Sequence, residues 1–172
     1  MTFMQRISLL LILSLLYVGQ ADAFAQATKY GVTVDVSNAP VLLKASTYTF
    51  VAGQPAYDKA IDALIISAID RELSARGMTK VTSGPADVAV TYLSVRRTDV
   101  DLKSKPKTND GTLREYPVGT LVVAVSDPAD RQKAYFTARS DQPLDLNPAT
   151  YEATVKSITA AIFEKYPRKV KP

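Results

Sequence analysis

Asp99 and Asp101 stand two apart in the run TDVDL, and side chains two apart on an extended strand share one face. Two carboxylates on one face can move a proton or hold a hard cation such as Ca²⁺. Arg96 and Arg97 immediately precede them, however, so plain charge balance at a solvated strand end accounts for the same residues. A metal loop would need a third oxygen-rich segment at suitable spacing, and none is present; Asn109-Asp110-Gly111 reads as a turn. Asp127, Asp130 and Arg131 surround Pro128, and Asp before Pro opens a turn through its own side-chain oxygen, with a recognition loop as the alternative. The expectation is therefore no catalytic residue, no metal and no cofactor.

Two side-chain chemistries are missing altogether. The 172 residues include neither His nor Cys. Without them there is no Ser-His-Asp triad, no thiolate nucleophile and no His- or Cys-based zinc site. Carboxylate, Lys, Tyr or Ser chemistry remains, and an enzyme of that kind would need two acids converging in a cleft with a raised pKa. A non-enzymatic binding or adaptor module is the better expectation.

The densest cluster is basic. Arg96, Arg97, Lys103, Lys105 and Lys107 put five cations within twelve positions, with Arg114 beyond. Pro106 disfavours regular helix there and keeps the ammonium groups in water. Such a segment can touch an anionic lipid or polysaccharide surface, at about 1 kcal/mol per charge near the surface, or an envelope protein; it can equally serve only for solubility. The basic residues are not interleaved with aromatics on a platform, which argues against nucleic acid. Tyr48, Phe50, Tyr92, Tyr135 and Phe136 are first of all strand core, and second a lining for a ligand groove.

The elements that must position these residues follow from periodicity. GVTVDV (31–36) alternates as a half-buried strand, Pro40 interrupts, and STYTFVAG (46–53) reads as a second strand ending at Gly53. In AYDKAIDALIISAIDRELSARG, Tyr57, Ile61, Leu64, Ile65, Ala68, Ile69 and Leu73 recur at helical spacing, and Gly77 suits a left-handed C-cap. Met78 to Val81 forms a short strand, and ADVAVTYLSV (86–95) is apolar on both faces, as a central strand should be. Residues 96–117 read as a polar interruption that starts at a strand end and runs into a loop. VGTLVVAVSD and QKAYFTARS flank Pro128-Ala129-Asp130 as an antiparallel hairpin. A last helix starts near Asn147-Pro148, buries Tyr151, Val155, Ile158, Ile162 and Tyr166, and stops at Pro167. Two helices with one apolar stripe each need one sheet face to cover. The expected fold is α+β, a two-layer sandwich of a mainly antiparallel sheet with two helices on one face. One domain, 26–167, with a basic tail at 168–172, suits the length.

The N-terminus supplies an address. ISLLLILSLLYV (7–18) is an uncharged apolar run of twelve behind Arg6, shorter than the ~20 residues a membrane-spanning helix needs. Ala21-Asp22-Ala23 and Ala23-Phe24-Ala25 both have the small-x-small form at which secretory signals are cut. Cleavage after Ala25, or alternatively after Ala23, would leave a mature chain without a transmembrane helix. Losing Arg6 and Asp22 together leaves the net charge at +4. The expected destination is the Gram-negative periplasm, with peripheral association to the envelope as an extension.

Three stretches then resemble a known family. They are STYTFVAG; AIDALIISAIDRELSARGMTKVTSGPADVAVTY; and EYPVGTLVVAVSDPADRQKAYFTARS with the closing ITAAIFEKYP. In order and spacing they resemble domain of unknown function 4136, small exported bacterial envelope proteins of which many are lipoproteins, over nearly all of residues 31–167. Phe50 stands where that family usually has Trp, Ala52 where it has Pro, and Tyr135-Phe136 where it tends to Leu-Val-Trp. No lipid-attachment cysteine is present. The resemblance implies a fold and a compartment and no reaction. Beside the adaptor role stands a second function from another class, a small-ligand carrier. It would need a partly unfilled cavity between sheet and helices, lined by Tyr48, Phe50 or Tyr92.

Overall fold

The computed structural model describes residues 30–103, 112–144 and 147–168. Six strands form one sheet in the order β1-β6-β5-β4-β2-β3. They are β1 (Thr33–Val36), β2 (Thr47–Phe50), β3 (Thr79–Lys80), β4 (Val88–Asp101), β5 (Arg114–Ser126) and β6 (Ala134–Pro143). β4, β5, β6 and β1 pair antiparallel, while β2 runs parallel to both β3 and β4. The helices are α1 (Ala39–Lys44), α2 (Lys59–Ser74) and α3 (Pro148–Glu164). The result is a mixed α+β fold on a mostly antiparallel open sheet, in line with the two-layer expectation. None of the described helices is long and apolar enough to cross a membrane.

Helix α2 begins where a side chain can satisfy its free amides. Asp58 is the N-cap and accepts from the amides of Ala60 and Ile61, at 2.7 and 3.3 Å. At the other end Gly77 adopts φ +76° and the Met78 amide reaches back to the Leu73 carbonyl, closing the helix as expected. Ile65, Ala68, Ile69 and Leu73 face the sheet. Tyr57 does not belong to that stripe: it precedes the cap and is fully exposed. Two acids that helical spacing alone would leave on the polar side turn toward the sheet instead. Asp62 accepts the hydroxyl of Tyr92 and Asp70 that of Tyr48, each at 2.7 Å. Burial first, and then these carboxylates, raise the pKa of both phenols, so each donates its proton.

Helix α3 buries Val155, Ile158, Thr159, Ile162 and Phe163, and Tyr166, just past its end, is buried as well. Phe136, Phe163 and Tyr166 form one aromatic cluster, with centroids 5.1–6.1 Å apart. Arg76 ties the two long helices together over this cluster. Its guanidinium donates to the Glu72 carbonyl and carboxylate and to the Phe163 carbonyl, and lies over the Phe163 and Tyr166 rings.

Three sequence expectations change. A third helix, α1, occupies the place where Pro40 read as an interruption: Asn38 caps it, Pro40 fits its first turn, and its Leu42 is buried in the core. Residues 96–101 are not a loop but the continuation of β4, and Arg114 to Pro117 belong to β5; the pairing runs unbroken from Ala89–Ser126 to Asp101–Arg114. Polar side chains there simply face water on an extended ribbon.

Candidate functional site

Antiparallel register places side chains in rows across β4, β5 and β6, and every second row faces the helices. Val90, Val125 and Phe136 form one such row, and Tyr92, Val123 and Ala138 the next. All six are buried. The following row is Ser94, Leu121 and Ser140, and the one after it Arg96, Gly119 and Gln142. Ser94, Ser140 and Gly119 put small side chains in these two rows, while the helices continue overhead. A cavity of about 860 Å³ results, walled by Ile61 and Ile65 of α2, Val155 and Ile158 of α3, Leu121 of β5, and Leu144. Leu144 folds over Gly119, its Cδ2 2.6 Å from where a Cβ would stand. The Leu144 side chain takes the space that a Cβ at position 119 would fill, and would have to move to admit one.

The rim is polar. Arg96 lies there, exposed, and has no ion-pair partner among the described residues. Tyr151 is half-buried at the same mouth. Burial raises its pKa; the Arg96 charge opposes that shift and Asp58 adds to it, so both charges lie within electrostatic reach of the phenol. The Asp58 carboxylate is already engaged with the first amides of α2. The wall is therefore apolar, and the mouth offers a guanidinium and hydroxyls as donors.

The basic run is divided by strand alternation. Arg97, one residue from Arg96, points to the helix-free face, where Asp99 holds it in a two-pronged pair at 2.8 and 3.1 Å. It also meets Asp141 and Thr120, each at 2.8 Å, and Arg139 closes on the far side of Asp141 at 2.7 Å. Two guanidiniums and two carboxylates thus balance across β4, β5 and β6. Hydrogen bonds from Arg139, and then from Arg97 and Thr120, hold the Asp141 carboxyl well below the usual range against the opposing effect of its partial burial. Asp99 is committed to Arg97, and Asp101 accepts from the Lys103 amide at 3.0 Å in the turn after β4. Lys103 is exposed and Arg114 stands opposite Asp101, while Lys105, Lys107 and Asn109 to Gly111 lie outside the described residues.

At the β5–β6 connection Asp127 accepts the Ala129 amide and the Tyr135 hydroxyl, and Asp130 accepts the Gln132 amide: turn chemistry throughout. Tyr48, Tyr92, Tyr135 and Phe136 are buried core, and Phe50 is partly buried between Tyr48 and Tyr92. None of these aromatics lines the cavity, which opens at the other end of the same layer. Ser94, Gly119, Ser140 and Tyr151 carry the site instead. Their signal in the sequence is small residues inside otherwise β-branched strands, and it becomes legible only once the register aligns them.

The profile of the family described as domain of unknown function (DUF4136) matches residues 32–168, and the chain belongs to that family. Among solved structures, a PelC dodecamer from Paraburkholderia phytofirmans superposes with a TM-score of 0.51 at 12% identity, covering 81% of this chain and 99% of that one. A PDZ domain protein from Parabacteroides distasonis superposes with a TM-score of 0.53 at 10% identity, covering 81% of this chain and 36% of that one. At such identities the likeness is one of fold. No curated protein matches the chain in sequence.

Proposed function

We propose that the protein is an exported, non-enzymatic binding module of the bacterial cell envelope, acting in the periplasm as a carrier for a small molecule with an apolar body. The observation that carries this is the cavity between sheet and helices. At about 860 Å³ it falls within the ~300–1,000 Å³ typical of small-molecule sites, with the usual apolar wall and few polar groups. The resemblance to a family of exported envelope proteins and the short apolar run behind Arg6, read as a secretory signal, support the compartment. The absence of His and Cys, and the engagement of Asp99, Asp127 and Asp141 in ion pairs and turns, support a role without catalysis.

The test has two arms. Cells expressing the full chain are fractionated, and the purified protein is titrated with Nile red, an uncharged dye that brightens in apolar surroundings. The protein is expected in the periplasmic fraction. It should bind the dye, and Ser94→Phe, which fills the cavity from its floor, should abolish that binding. Retained protein in the cytoplasm would refute export, and dye binding indifferent to Ser94→Phe would refute the carrier role.

A further inference from the structure

We infer, on the footing of the carrier role above, that the cleft takes an amphipathic anion: a single-chain molecule whose one carboxylate or phosphate head sits on Arg96 and whose chain runs inward between α2 and α3. Three observations meet at the mouth. Arg97, the neighbouring cation, is neutralised by Asp99 and Asp141, whereas Arg96 has no ion-pair partner among the described residues. Arg96 shares its row with Gly119, over which Leu144 folds, and with Gln142 beyond, so the guanidinium stands at the boundary between a polar rim and an apolar wall. The half-buried Tyr151 stands at the same mouth as a further hydroxyl donor.

The charge of the head follows from desolvation. A neutral molecule seated in the cleft would gain little from the exposed Arg96 guanidinium, and a cationic one would be repelled by it. A carboxylate or phosphate matches the planar fork of the guanidinium with two parallel hydrogen bonds. Asp58 does not replace that partner: its Oδ1 caps α2 through the amides of Ala60 and Ile61, and it forms no ion pair with Arg96. Deeper in, Ile61, Ile65, Val155 and Ile158 form an apolar wall over a floor whose polar groups are the uncharged Ser94 and Ser140 hydroxyls, which suits a ligand whose inward part is mainly hydrocarbon.

Isothermal titration with dodecanoate, dodecyl phosphate and uncharged dodecanol, each below its aggregation limit, tests this on the purified protein. Both anions, or one of them, should bind roughly tenfold or more tighter than dodecanol, the scale of a charge-assisted pair. Arg96→Met, which keeps an apolar stem on an exposed strand position, should remove that preference and leave dodecanol binding unchanged. Circular dichroism and the melting temperature establish that the variant is folded. A preference for dodecanoate or for dodecyl phosphate says which head group fits, and either supports the inference. Equal binding of all three amphiphiles, or an anion preference surviving in Arg96→Met, overturns the role of Arg96 while the carrier role stands. If the wild-type protein binds none of the three while Nile red still binds in the manner Ser94→Phe abolishes, the anion inference alone falls; if Nile red fails as well, both fall.

Discussion

Arg96 and Arg97 show how strand alternation separates neighbours: one residue lines the mouth of the cleft, and the other is locked into a charge-balanced ladder on the opposite face. The ladder makes a pH prediction. Asp141 is ionised in the folded protein to well below 3.8, its ordinary value, and an unfolded chain would bind that proton sooner. Its contribution to stability is therefore complete above about pH 4 and is lost as pH falls through the lower folded value. Thermal melts between about pH 5 and 2 should fall less steeply for Asp141→Asn than for wild type. Equal slopes would show that the ladder is not coupled to folding. Tyr92 gives a second test at this scale. Removing its hydroxyl in Tyr92→Phe deprives Asp62 of a donor, though the Ala56 amide remains at 2.9 Å. Urea denaturation should register a loss of about 1–2 kcal/mol, in the range for hydrogen bonds to charged groups.

At the scale of elements, glycines at two boundaries carry different loads. Gly53 lies so close to β4 that a Cβ would overlap the Tyr92 carbonyl oxygen, a backbone atom that cannot step aside. Gly77 has open space around it but φ +76°. Gly53→Ala should therefore destabilise by more than Gly77→Ala, which should cost about 1 kcal/mol; the reverse order in denaturant melts would contradict these roles. Periodicity made α2, α3, the β5–β6 hairpin and the one-face layering legible, because long stripes and clear turn residues agree there. It misplaced the ends of β4 and β5, since Arg96 to Asp101 are polar on both sides of an extended ribbon and hydropathy cannot tell that from a loop. It missed α1, whose six residues are too few to show a period. The cleft itself was expected between sheet and helices but at the aromatics. Its actual place depends on Ser94, Gly119 and Ser140 falling in adjacent rows, a fact of pairing between segments far apart in sequence.

Beneath the two long helices, Phe136, Phe163, Tyr166 and the Arg76 clamp hold one end together beside a smaller cavity of about 570 Å³ that Arg76, Met78 and Tyr166 line, and the cleft of about 860 Å³ opens at the other. Filling that cleft should change binding more than folding, because the aromatic cluster and the clamp lie away from it. Ser94→Phe is accordingly expected to melt within a few degrees of wild type while losing its ligand. Replacing Lys103, Lys105 and Lys107 by Ser should leave cleft binding unaffected, because binding is assigned to the Arg96 mouth; weakened binding in that triple variant would move the site toward the basic run. One measurement bears on the central claim more directly than any other: native mass spectrometry of the protein purified from the periplasmic fraction, beside Ser94→Phe prepared in the same way. The account predicts that the wild-type protein carries the extra mass of a small amphiphile, released on denaturation, and that Ser94→Phe carries none. A wild-type mass equal to that of the bare chain, or the same bound mass on both proteins, would contradict it.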